Sequence, residues 1–157
     1  MANYYGMTRS NYFRVTDPER LKKIIAATCM DEDSLELWSC ESENGPLYAF
    51  GGYGSICGLM PSFDHKAEDG PDNEKSGPED DENEPDFDAF EEELRKIVAP
   101  DDAIIITEIG YEKLRYLTAY SIVITAKHSE CVDLRESCID TAQRLLGNPN
   151  WDTRMEY

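Results

Sequence analysis

The feature that most constrains the fold is an acidic segment in the middle of the chain, from Asp64 to Glu93. It holds 15 carboxylates and 2 lysines, which give it a formal charge of −13 out of the chain's −18. A stretch this polar buries too little apolar surface to offset the entropy lost on ordering, so we expect a disordered or mobile loop over residues 63–84. About 125 residues remain outside it, enough for one hydrophobic core. The sequence therefore predicts a single domain, residues 1–157, with an acidic loop inside it.

Composition limits the classes of partner and the compartment. No stretch is apolar over the length that a bilayer span requires, and the N-terminus lacks the features of a secretory signal. Five widely spaced cysteines without a C-x-x-C pair are typical of reduced thiols, so we expect a cytoplasmic protein. Because nucleic acids and anionic lipids are polyanions, the charge predicts no direct nucleic-acid or membrane binding.

Three segments have apolar residues at helical spacing. The first begins at Thr16, where Thr16 and Glu19 have the spacing of a capping box. The second begins near Asp86 and ends before Pro100, and the third runs from about Asp133 to Leu146. In the third helix, the residues predicted to face the core are Leu134, Cys138, Ala142, Leu145 and Leu146.

Alternating or apolar runs between these helices indicate strands. The predicted strands are Ser10–Val15, Leu35–Glu41, Leu47–Phe50, Ala103–Ile109 and Leu114–Lys127. Asn44-Gly45 predicts a type I′ hairpin turn, and Gly110–Lys113 predicts a second turn. The order favours an α+β two-layer sandwich with a mainly antiparallel sheet and helices on one face. Two helix–hairpin units, β-α-β-β and α-β-β-α, suggest an internal repeat.

No motif predicts catalysis, a cofactor or a metal site. The glycines of Gly51–Ser55 lack the Gly-Lys-Ser/Thr ending of a phosphate loop and are typical of a bulged strand approached closely by another backbone. His128 and Cys131 are too close in sequence for a usual nucleophile–base pair, and the acidic strings do not match a calcium loop. A small-molecule-binding protein or an enzyme with a pocket near Gly51–Ser55 remains the alternative.

The charge and the tyrosines favour a non-enzymatic protein-interaction module. Acidic side chains would attract a basic protein surface, and exposed aromatic and arginine side chains are typical interface anchors. At the predicted second hairpin, Glu108 and Arg115 could also form a cross-strand ion pair. The candidate interaction residues are Asp80, Asp81, Glu82, Glu91 and Glu92 for charge, and Tyr111, Arg115 and Tyr116 for anchoring. A structural homo-oligomer is the second alternative.

Three strings, NYFRVTD, YAFGGYGSI and EIGYEKLRYLTAYSIVIT, resemble those of small acidic proteins carried on bacterial plasmids, phages and conjugative elements. The resemblance implies a bacterial cytoplasmic accessory protein and carries over no catalytic residue. Some products of such elements are acidic inhibitors that imitate DNA. By this analogy the chain would inhibit a basic or nucleic-acid-binding host protein.

Overall fold

The computed structural model describes residues 3–63, 83–113 and 116–153, and these residues form an α+β fold as predicted. In chain order the elements are β1 (Tyr5–Ser10), α1 (Pro18–Ala26), β2 (Thr28–Met30), β3 (Glu36–Ser42), β4 (Gly45–Tyr53), β5 (Ile56–Leu59), α2 (Phe87–Ile97), β6 (Ile104–Glu112), β7 (Tyr116–Ile124), β8 (Ser129–Asp133) and α3 (Leu134–Leu146). None of the helices in this described part has the length and apolar character to cross a bilayer.

The main sheet has six strands in the order β3-β4-β1-β6-β7-β8, and every neighbouring pair is antiparallel. Strands β2 and β5 form a separate two-stranded sheet. The strand predicted at Ser10–Val15 is wrong, because the central strand is Tyr5–Ser10. After Ser10 the chain leaves the sheet so that Phe13 can enter the core, where it is fully buried and bridges Tyr48.

Helices α1 and α2 cover one face of the main sheet and enclose the core. Phe50 of β4 is at its centre and packs edge-on against Phe13 and Phe90, with ring centroids 5.9 and 6.2 Å apart. Ile104 of β6 and Ile124 of β7 are also fully buried. The apolar spacing of α1 and α2 placed these helices correctly.

The caps of the two helices follow from their sequences. The Asp86 carboxylate accepts a hydrogen bond from the Ala89 N–H at 3.0 Å and so begins α2 at the predicted place. The cap of α1 is Asp17, which accepts from the Arg20 N–H at 3.0 Å. The predicted capping box at Thr16 is therefore wrong by one residue, because the Thr16 hydroxyl donates instead to the Ile97 carbonyl.

A buried ion pair joins α1 to α2. The Glu93 side chain is only 4% exposed and accepts hydrogen bonds from Arg20 at 2.9 Å and Lys96 at 3.0 Å. Burial alone would raise the pKa of Glu93, but the hydrogen bonds from Lys96 and Arg20 outweigh it and the pKa is lowered. Arg20 also lies over the Phe63 ring, 4.4 Å from its centroid. Phe63 is thus a core residue at the start of the predicted acidic loop, of which residues 64–82 lie outside the described part of the chain.

The third helix departs from the predicted arrangement. It follows the edge strand β8, and its Leu134, Cys138 and Ile139 border the sheet face opposite α1 and α2. None of its residues is buried, and Leu145 and Leu146 are 74% and 60% exposed. The prediction that its apolar residues face the core is therefore wrong, because the core lies on the other side of the sheet.

Both hairpin turns differ from the prediction in position. Ser42 pairs with Gly45, so the first loop is Glu43-Asn44, and only Gly45 of the predicted Asn44-Gly45 pair has positive φ, at 103°. A type I′ turn requires positive φ at both central residues, so this turn type is wrong. In the second hairpin β6 continues to Glu112, so Gly110, Tyr111 and Glu112 of the predicted turn at Gly110–Lys113 belong to the strand.

The sheet order gives no support to a repeat of the two helix–hairpin units. In the first unit the second hairpin strand, β4, adjoins the central strand β1, whereas in the second unit the first hairpin strand, β6, does so. Helices α1 and α2 nevertheless pack on the same face. Because the hairpin strands are in opposite order while both helices lie on one face, no rotation superimposes the first unit on the second. The likeness of the two helices therefore follows from their shared amphipathic pattern.

Candidate functional site

The sheet face opposite α1 and α2 carries large apolar side chains that no element of the described residues covers. We call this the open face and define it by Tyr5, Met7, Tyr53, Ile109, Tyr111 and Leu117. These side chains are between 43% and 67% exposed. A covered sheet would bury them, as the opposite face buries its own large side chains.

The open face is assembled by strand register. Tyr53 of β4 and Ile109 of β6 both pair with Met7 of β1, and Tyr111 pairs with Tyr5 and with Leu117. Because side chains alternate across a strand, these residues share one face while their neighbours enter the core. The rings of Tyr5 and Tyr111 contact one another, with centroids 5.7 Å apart.

A groove runs between the open face and α3. Its volume is about 1070 Å³, and α3 contributes Leu134, Cys138 and Ile139 to its wall. Charged side chains at its margin belong to Glu32, Arg135 and Glu136. A groove of this size, with apolar walls and a polar margin, is suited to a peptide segment or a helix.

The exposed apolar area is large for an isolated chain. Taking roughly 200 Å² for a fully exposed large side chain, the open face exposes on the order of 600 Å², and Leu134, Leu145 and Leu146 of α3 add roughly 400 Å². The largest apolar patch of a typical monomer is about 300–600 Å². The surface therefore has the physical character of a protein interface.

Directly behind the open face, a buried carboxylate ties four chain segments together. Glu108 is 6% exposed and accepts hydrogen bonds from three hydroxyls. Its Oε1 accepts from Tyr4 at 3.0 Å and from Ser55 at 2.6 Å, and its Oε2 accepts from Tyr120 at 2.7 Å. These bonds join β6 to β7, to the N-terminal segment and to the turn before β5. The register places Tyr120 opposite Glu108, and Arg115, the predicted ion-pair partner of Glu108, lies outside the described residues.

Both tyrosines of this cluster are held in the neutral form. Burial raises the pKa of Tyr120 most, and the hydrogen bond to the Glu108 carboxylate raises it further. Burial also raises the pKa of Tyr4. A neutral phenol can donate to a carboxylate, so the same arrangement keeps the tyrosines protonated and Glu108 bonded. The cluster fixes the strands that present Ile109 and Tyr111 on the open face.

Two glycines make room for the Tyr4 ring. A Cβ at Gly6 would lie 2.5 Å from Tyr4 Cε1, and one at Gly110 would collide with the Tyr4 hydroxyl. Gly110 is therefore a strand residue that admits an aromatic ring, and this explains why the turn predicted there is displaced.

Four of the predicted interaction residues lie outside the described part of the chain: Asp80, Asp81, Glu82 and Arg115. The structure separates the other four. Glu91 and Glu92 lie on α2, on the covered side of the sheet, whereas Tyr111 belongs to the open face. The charged and tyrosine residues therefore do not form one site.

The predicted residues also differ in their surroundings. Glu91 accepts a hydrogen bond from the Ser129 hydroxyl, and Glu92 lies 3.6 Å from the Lys96 ammonium. Tyr116 is 45% exposed at the hairpin end and alternates with Leu117, so it lies on the covered side. Of the four predicted residues that the structure describes, Tyr111 alone contributes to the groove.

Gly51–Ser55, the predicted alternative pocket, is divided among three environments. A Cβ at Gly51 would lie 2.7 Å from the Thr8 carbonyl oxygen, so the predicted close approach of another backbone is confirmed. Tyr53 joins the open face, and Ser55 binds Glu108. Across residues 3–63, 83–113 and 116–153, no group of three His, Cys, Asp or Glu side chains is arranged to hold a metal ion.

Sequence reasoning missed most of the open face. Leu117 and Ala119 alternate with Tyr120 and Ile122, whose side of β7 faces the core, so this strand is apolar on both sides. That pattern is typical of a strand covered on both faces and was the available signal. Comparison with protein-family models, with curated proteins and with solved structures finds no match to this chain.

Proposed function

We propose that this protein is a non-enzymatic interaction module that binds another protein chain through the open face and the adjoining groove. The observation that carries the proposal is the exposed set of large apolar side chains on one rigid sheet face. Tyrosines, methionine and leucine account for most of it, and aromatic and methionine side chains are enriched at the centres of protein interfaces.

The energetics support binding at this surface. Covering half of an exposed area of roughly 1,000 Å² corresponds to on the order of 10 kcal/mol of hydrophobic free energy. Association costs of about 4–15 kcal/mol oppose it. A rigid sheet lowers the association cost because its backbone is already ordered before binding. The Glu108 cluster supplies part of that rigidity.

The acidic side chains serve a second purpose in this proposal. Charge on α2 and in the acidic segment increases the rate of encounter with a basic protein, which includes a nucleic-acid-binding host protein in the cytoplasm. This attraction is strongest at low salt. Helix α2, together with Phe63 and Asp86 at the described ends of the acidic segment, lies on the covered side of the sheet.

Covalent cross-linking in extracts of the native cells tests the proposal. Leu117→Glu and Ile109→Glu place a charge in the open face, and Tyr12→Glu is a matched control at a 44% exposed aromatic outside the groove. We expect adducts of the wild type and the control that both open-face variants lose. Circular dichroism checks that each variant is folded. The same adducts in all four proteins would refute the proposal.

A further inference from the structure

We infer that the chain that occupies the open face is a second copy of this protein, with α3 of each copy packed on the open face of the other. This inference rests on the proposed function and names its partner. Three independent features of the surface support it: its shape, its charge and its area.

The surface is self-complementary in shape. It combines a groove of about 1070 Å³ with helix α3, whose Leu145 and Leu146 side chains are exposed. These side chains do not enter the core of their own copy. In a two-fold symmetric dimer the same patch of each copy supplies both parts of the contact. A helix with an unburied apolar side next to an apolar groove is the arrangement that such an interface requires.

The charge of this surface permits self-association despite the formal charge of −18 on each copy. The charged residues of α3 and of the groove margin are nearly balanced, two basic and three acidic: Arg135, Arg144, Glu32, Glu136 and Asp140. The acidic segment is attached on the other side of the sheet, because Phe63 lies in the core and Asp86 caps α2. Two copies that meet through their open faces therefore keep their acidic segments attached on outer sides.

The area is sufficient for a stable pair. A standard interface buries about 800 Å² on each partner, and the open face with the apolar residues of α3 exposes on the order of 1,000 Å² on each copy. A peptide or a single side chain would leave much of this surface uncovered. A second copy covers both the groove and the exposed helix.

The salt dependence separates a second copy from a basic partner. Two copies of one acidic protein repel each other, and salt screens that repulsion, so self-association strengthens as salt increases. Binding to a basic protein weakens under the same change. The two occupants of the open face thus give opposite trends in one measurement.

Sedimentation velocity of the purified full chain, over a range of protein concentrations, makes this measurement at about 50 mM and about 500 mM sodium chloride. We expect a dimer whose dissociation constant decreases at the higher salt. Leu117→Glu on the sheet and Leu145→Glu on α3 should each raise that constant at least tenfold. Tyr12→Glu, which adds the same charge outside the surface, should leave it within twofold of wild type.

A wild type that remains monomeric at the higher salt overturns the inference, as does a dimer that neither Leu117→Glu nor Leu145→Glu weakens. If the wild type is monomeric but its cross-linked adducts in extracts still depend on Leu117, the proposed function stands and the second copy is wrong. If a dimer forms and no open-face substitution affects any adduct or the dimer, both are wrong. Circular dichroism of each variant under native conditions excludes unfolding as the reason that a variant is monomeric.

Discussion

Replacing Tyr120 with phenylalanine removes one hydroxyl from the cluster behind the open face. That hydroxyl donates to Oε2 of Glu108 at 2.7 Å, and it is the one hydroxyl donor to this oxygen among the described residues. Oε1 differs, because both Tyr4 and Ser55 donate to it. Removing one hydroxyl donor should therefore cost more folding stability at Oε2 than at Oε1.

The magnitude follows from this inequality. A hydrogen bond to a charged group contributes about 1.5–3 kcal/mol, and the higher part of the range applies when the buried acceptor keeps no other partner. We expect Tyr120→Phe to reduce the free energy of unfolding by about 2–3 kcal/mol. Tyr4→Phe should cost about 1 kcal/mol, because Ser55 still donates to Oε1.

Urea denaturation followed by circular dichroism measures both variants, with Tyr12→Phe as an exposed control that should equal wild type. An equal loss for Tyr120→Phe and Tyr4→Phe would contradict the unequal partnering of the two oxygens. No loss for Tyr120→Phe would show that Glu108 does not depend on this hydroxyl, and the proposed support of the open face would fail.

Three further predictions follow from the fold. The folded state raises the pKa of Tyr120, so the contribution of this tyrosine to stability is complete below the unfolded tyrosine pKa of about 10 and is lost as pH rises above it. In urea titrations at alkaline pH, wild type should therefore lose stability more steeply with pH than Tyr120→Phe. Gly58→Ala should reduce the unfolding free energy, measured by urea denaturation, by about 3 kcal/mol, and Gly45→Ala should reduce it by about 1 kcal/mol. Both glycines have positive φ, but only a Cβ at Gly58 would meet backbone, 2.5 Å from the Phe87 nitrogen. Equal costs would refute this. Arg20→Ala should reduce the unfolding free energy by about 1–2 kcal/mol in urea denaturation, because buried Glu93 loses one ion-pair partner and keeps Lys96, whereas Lys22→Ala, at an exposed ion pair, should have no measurable effect.

Local signals in the sequence were sufficient for the α+β class and for two of the helices. In α2, Asp86 supplies the cap and Phe90 and Leu94 recur on the buried side, so cap and core agree. In β7, Tyr120 and Ile122 alternate with their neighbours and so share one side of the strand, which is the side that faces the core cluster. In these elements each local preference matches the tertiary contacts that the residue makes.

Long-range contacts account for most of the errors. Glycine is a common turn residue, but Gly110 lies in a strand, where the Tyr4 ring occupies the space that a side chain at this position would need. No local sequence pattern indicates that contact. The apolar residues of α3 have the spacing of a core helix, yet nothing in that spacing says which side of the sheet the helix reaches. The open face depends on registers between β1, β4, β6 and β7, which are set by pairs distant in sequence.

Hydroxyl-radical footprinting of the full chain tests the central claim, that a second copy of this protein covers the open face, at the level of single side chains. Met7, Tyr53 and Tyr111 are exposed and reactive residue types, and Tyr12 is an exposed tyrosine outside the surface. We expect oxidation of the first three to decrease as protein concentration increases at about 500 mM salt, with no change at Tyr12. Oxidation of Met7, Tyr53 and Tyr111 that stays as constant as that of Tyr12 would contradict the account.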